Sequence, residues 1–139
     1  MHIEKLDRVV FGVRDVREAA NFFSNILGIK FYHFHGEAYG RVRTAAISRL
    51  GIELVDIQPG DKEVFRGLLL KVSDDTDLEE AKAEMESYGI RVEEKREKGG
   101  FKEYVFNKED CYGIKLALGA YDVPHGGLIA VLKQPEVEA

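Results

Sequence analysis

Residues 51–57, GIELVDI, have the make-up of a strand but carry a carboxylate, Glu53, in the middle. A carboxylate placed there can act as a general base, a metal ligand or one half of an ion pair. Arg8 interrupts a second such run, LDRVVFGV. Its guanidinium does not deprotonate, so it is neither base nor ligand, but it suits a carboxylate through paired hydrogen bonds. His33 and His35, in FYHFHGEAY, stand two apart and share one strand face. Two such histidines can join a metal site or supply a base near pH 7. The plainer reading is a solvated or ligand-facing strand surface. Lys115, in GIKLAL, is a cation among aliphatic neighbours. Ile114, Leu116 and Leu118 then take one face, leaving Lys115 with Ala117 on the other. It is equally readable as a binding group or a solvated strand residue. Tyr32, Phe34 and Tyr39 offer aromatic walls or core packing. Cys111, beside Tyr112-Gly113, has no partnered base in sight and is not read as a nucleophile.

The elements that must position these residues follow from periodicity. Alternation in residues 6–13 gives a strand, and Asp15 is a helix N-cap. Val16, Ala19, Ala20, Phe23, Ile26 and Leu27 then recur at helical spacing until Gly28. Strands are expected at 29–35, 41–48 and 51–57, with turns at Gly36, Gly40 and Gly51. The order then repeats about sixty residues on. Residues 67–72 read as a strand, 73–77 as a capping region, and Leu78, Ala81, Met85 and Tyr88 as a helical stripe ended by Gly89. Strands near 91–97, 102–107 and 113–118 follow. Such internal repetition argues for two pseudo-symmetric modules, each with a helix on one sheet face and the other faces lining a shared cleft.

Composition bounds the rest. The 139 residues are 45% apolar and 32% charged, with a formal net charge of −5. That describes a folded domain with little affinity for nucleic acid or anionic membranes. No run is apolar and long enough to span a bilayer, and the first residues lack a signal-peptide pattern. One cysteine excludes an internal disulfide. A cytoplasmic location is the expectation. The segment 120–139 contains an apolar stretch, Leu128–Leu132, expected to pack on this subunit or on a partner.

The order and spacing of LDRVVFGVRDVREAANFFSNILGIKFY, GIELVDI, FRGLLLKVSDDTDLEEAKAEMESYGIRV and GIKLAL resemble the vicinal oxygen chelate superfamily. That superfamily includes glyoxalase I, extradiol dioxygenases and bleomycin resistance proteins. The resemblance covers roughly residues 5–119. It implies an α+β fold of two tandem βαβββ modules, about 5–58 and 64–119, in one domain spanning 1–139 with a tail at 120–139. Metal enzymes of the superfamily carry a ligand on the first and last strand of each module. Those positions fall here on Arg8, Glu53, Gly67 and Ala117, so only Glu53 keeps a donor, and the resemblance implies a degenerate metal site. Arg8 and Glu53 should then face each other on neighbouring strands.

Three functions follow as expectations. The leading one is a homodimeric protein that binds a small anionic or aromatic molecule without metal or other cofactor, using Arg8, Glu53, Lys115, His33, His35 and Leu69. The second is a lyase, isomerase or related enzyme with Glu53 as base next to a carbonyl. The third restores a divalent metal on Glu53 with His33 or His35, and with it lyase or dioxygenase chemistry.

Overall fold

The computed structural model describes residues 1–38, 41–98 and 100–122, with the side chains at 34, 36–38, 41–43 and 98 outside that description. Tyr39, the Phe34 ring and residues 123–139, including Leu128–Leu132, therefore lie outside the described residues. The chain divides into two units. Among the described residues, Arg8–Arg66 form the first, and Met1–Asp7 with those from Gly67 to Asp122 form the second.

The two βαβββ modules are present. The first runs β1 (Lys5–Val13), α1 (Val16–Leu27), β2 (Phe31–Ala38), β3 (Arg41–Ser48) and β4 (Ile52–Asp56). The second runs β5 (Val64–Lys71), α2 (Asp75–Ser87), β6 (Val92–Lys98), β7 (Phe101–Phe106) and β8 (Lys115–Tyr121), with a single 3-10 turn at Lys108–Asp110. In the first, the strand order is β2-β3-β4-β1. Strands β1 and β4 are parallel and the others antiparallel. The second repeats this as β5-β8-β7-β6, with β5 and β8 parallel. Parallel neighbours need a long crossover. In both modules the helix and two strands supply it.

Local chemistry fixes the helices. The Glu18 N–H donates to Asp15 Oδ1 at 2.9 Å, and Gly28, at φ 66°, closes α1 by donating to Ser24 O. The Asp77 N–H donates to Asp74 Oδ1 at 2.9 Å at the start of α2. Each helix buries one stripe. Val16 and Ala20 pack with Val13, Phe31, Ala46 and Leu54 in the first unit. Leu78, Ala81 and Met85 pack with Val72, Tyr104, Phe106 and Leu118 in the second. Ile26, Leu27 and Tyr88, expected on these stripes, remain exposed.

Some strand ends differ from expectation. Strand β2 passes through Gly36 to Ala38 because its ladder with β3 continues, pairing Gly36 with Arg43 and Ala38 with Arg41. Strand β8 starts only at Lys115, after Tyr112 and Gly113 turn the chain at positive φ, and runs on to Tyr121. Ala120 and Tyr121, expected at the head of a tail, are thus strand residues paired with β7. The first seven residues are tied into the second unit. The Glu4 N–H donates to Lys71 O at 2.8 Å, Lys71 Nζ to Glu4 Oε1 at 2.6 Å, and the Tyr121 hydroxyl to buried Asp7 Oδ2 at 2.6 Å.

Candidate functional site

Cross-strand partners in a sheet point to the same side, so register sorts the first unit's residues by face. His33 pairs with Ala46, Ala46 with Leu54, and Leu54 with Phe11. Ala46, Leu54 and Phe11 belong to the core under α1. Tyr32 pairs with Ile47, Ile47 with Glu53, and Glu53 with Val10. This second row lies on the face away from the helix, and Arg8, two residues before Val10, points the same way.

On that face Arg8 Nη1 donates to Glu53 Oε1 at 2.6 Å. The side chains are only 11% and 13% exposed, so the pair is largely desolvated. A guanidinium beside a carboxylate offsets the burial of both charges, whereas either one alone would be left uncompensated. Ala45 and Ile47 are buried on the same face and Val10 half-buried. A polar couple set among apolar walls is a common make-up for an organic-ligand site. The arrangement can set a guanidinium against a ligand, or move a proton through Glu53.

The other candidates are placed differently. His33 and His35 do not share the Glu53 face. They lie on the α1 side, which removes the geometry for a metal held by Glu53 with either histidine. The alternation in FYHFHGEAY fits both orientations, and the ladder with Ala46 and Thr44 decides it. His33 is 6% exposed, and its Nε2 has no hydrogen-bond partner among the described residues. Desolvation pushes its pKa below the usual imidazole value, and the charges of Arg17 and His35 push the same way. His35 is exposed, with Nδ1 3.1 Å from the Thr44 hydroxyl. Leu69 and Lys115 belong to the second unit. Leu69 is buried with Val105 and Ala117 on the sheet face away from α2. Lys115, in register with Gly67, brings Nζ to 3.9 Å from Glu93 Oε2. It is therefore close to a carboxylate of its own unit.

Three polar couples were not expected from sequence. Arg49 donates through Nε and Nη2 to the Tyr32 phenol oxygen at 3.3 and 3.2 Å. Buried Glu103 accepts from Arg96 at 3.3 Å, on the face of Val105. Tyr121 donates to Asp7 across 114 positions. Only the Arg49 contact had a usable signal. Counting back from the β3–β4 turn through the β2–β3 ladder places Tyr32 and Arg49 at the same end of the hairpin.

A divalent metal does not fit these donors. The four positions marked by the resemblance hold Arg8 and Glu53 in the first unit and Gly67 and Ala117 in the second. Glu53 alone has a donor side chain, and it is engaged by Arg8. A side chain at Gly67 would run into the Lys115 carbonyl oxygen. Among the described residues, no three His, Cys, Asp or Glu converge as a metal site.

Residues 5–118 match the family model described as Glyoxalase/Bleomycin resistance protein/Dioxygenase superfamily. No curated protein matches the chain in sequence. Among solved structures, methylmalonyl-CoA epimerase from Mycobacterium tuberculosis is similar with a TM-score of 0.71 at 18% identity, covering 88% of this chain and 91% of that one. A methylmalonyl-CoA epimerase in complex with methylmalonyl-CoA and NH4+ gives 0.69 at 14%, covering 86% and 96%. A hypothetical protein from Bacillus halodurans C-125 gives 0.69 at 15%, covering 86% and 96%. At these identities the likeness speaks for the fold alone. Among the described residues, no helix is long and apolar enough to cross a membrane.

Proposed function

The chain belongs to the Glyoxalase/Bleomycin resistance protein/Dioxygenase superfamily, and from that premise we propose that it binds a small organic anion on the Glu53 face of the first unit, without a metal. The observation that carries this is the Arg8–Glu53 ion pair at 2.6 Å, at two positions where the resemblance implies metal ligands. The pair does in charge terms what a metal would otherwise do for Glu53, and it sets a guanidinium on the face where the ligand would lie. Similar structures include an epimerase in complex with methylmalonyl-CoA. A thioester bearing a nearby carboxylate is therefore the first class to test.

The test is a thermal-shift screen of carboxylic acids, acyl thioesters, phosphates and their neutral amides, followed by calorimetry on wild type and Glu53→Gln. Acids and thioester acids are expected to raise the midpoint and amides to leave it unchanged. A hit list of neutral or cationic compounds would overturn the proposal.

A second reading makes the same site catalytic. Glu53 is a carboxylate held by one arginine and walled by Ile47 and Val10, suited to take a proton from carbon next to a carbonyl. It would return that proton, or one exchanged from solvent, to the same face of the enolate, whose oxygen needs a hydrogen-bond donor beside it. Deuterium appearing at C2 of a 2-substituted malonyl thioester in heavy water, abolished by Glu53→Gln, would favour this reading. Binding without exchange would leave the protein a binder.

A further inference from the structure

We propose that Arg49 and Tyr32 form an anchoring point for an oxyanion, a carboxylate or a phosphate, belonging to the ligand whose other end reaches Glu53. This rests on the binding reading above and extends it to a site of its own.

The register puts Tyr32, Ile47 and Glu53 in one row on one face. Tyr32 therefore stands two strand spacings from Glu53, roughly 10 Å at the usual spacing. Arg49 follows β3 directly and lies at the same end of the sheet as Arg8. It is exposed, and Nε and Nη2 both rest on the Tyr32 oxygen.

The kind of partner is what singles this couple out, since Arg49 is the arginine that rests on a phenol oxygen among the described residues. Arg8, Arg91 and Arg96 each hold a carboxylate. Arg49 has none among the described residues, although the protein carries 25 acidic side chains against 20 basic ones. Its contact is a neutral oxygen, which orients the guanidinium without cancelling its charge. Of five N–H groups, two are used, so three remain. The phenol accepts from Arg49, which leaves its own O–H to donate. A fork of guanidinium N–H groups beside a phenol O–H suits two oxygens of one carboxylate or phosphate. Since Glu53 neutralises Arg8, Arg49 is, among the described residues, the uncompensated cation of this row. The anion preference expected earlier of Lys115 passes to it.

The experiment is an NMR titration of the full chain, labelled with nitrogen-15, using glutarate, butyl phosphate and neutral glutaramide as probes. In wild type, at least one anion is expected to shift the Arg49 Nε–H and the Gly51 amide, and glutaramide neither. The tighter anion tells carboxylate from phosphate. Arg49→Gln should weaken that anion about ten- to a hundredfold, the worth of a charge-assisted hydrogen bond. Tyr32→Phe, which keeps the ring and its packing, should weaken it several-fold and serves if Arg49→Gln folds poorly. If the anion shifts the Arg8 and Glu53 amides but keeps its affinity in both variants, the anchor is wrong and the binding site stands. If no probe moves any signal on this face in wild type, both fall.

Discussion

At the scale of single residues, the Arg8–Glu53 pair is the most exposed to test. Removing one partner of a buried ion pair typically costs about 3–5 kcal/mol, because the other charge stays behind. Arg8→Met is therefore expected to destabilise strongly, and adding Glu53→Leu should recover much of the loss in urea denaturation. Simple additivity of the two losses would show that the contact contributes nothing. This pair was readable from sequence, since strand alternation fixes which residues share a face and the resemblance fixes which strands adjoin. His33 shows the limit of that reasoning. Alternation sorts Tyr32 from His33 but does not say which of the two goes under the helix. The small side chains of Ala45 and Ala46 accept either. Its buried ring, with Nε2 lacking a partner among the described residues, carries a pH prediction. The folded pKa lies below the unfolded value near 6.5, so the native state binds fewer protons. Stability is then full above about pH 6.5 and falls as the pH drops through the unfolded and then the folded pKa. His33→Phe should flatten the part of the urea midpoint that changes between about pH 7 and 5. An unchanged slope in that variant would mean the imidazole is not the group responsible.

At the scale of elements, both helices were legible because two independent signals agreed, a 3.6-residue stripe and an aspartate cap. Asp15 and Asp74 each accept a hydrogen bond from the N–H three residues on. Asp15→Ala and Asp74→Ala are each expected to cost about 1 kcal/mol. Having no shared partner, their effects should add to within about 0.5 kcal/mol in the double variant. Chemical denaturation reads both, and a loss near zero would mean that solvent replaces the cap. Strand ends were less legible for a physical reason. A helix stop is written in the residue that stops it, whereas a strand lasts as long as its neighbour. Gly36 looked like a turn, yet the β2–β3 ladder carries it to Ala38. Arg49 was legible only in part for the same reason, since its nearness to Tyr32 depends on a hairpin register that neither strand contains alone.

For the molecule as a whole, the duplicated order of elements made the fold readable, because one module's weak signals are repeated by the other. The donor chemistry leads to a global prediction. Elemental analysis of protein prepared without chelator or affinity tag is expected to find far less than one Zn, Ni, Fe or Mn per chain. A stoichiometric metal removed by Glu53→Ala would overturn the argument from Arg8, Gly67 and Ala117. The repeat in sequence is nevertheless offset from the division in space. Met1–Asp7 include the start of β1, the first strand of the first module, but belong to the second unit, and Asp7 meets Tyr121 114 residues later. On a translating ribosome this imposes a schedule. Arg8–Arg66 have their sheet and core partners in hand as soon as that stretch has emerged. At about 5–20 residues per second, Asp7 waits roughly 6–23 s for its tyrosine. Until then Ile3 and Asp7, covered in the finished fold, are open to peptidases and chaperones. A pause or truncation anywhere before β8 leaves that leading segment as the exposed handle by which an unfinished chain can be recognised.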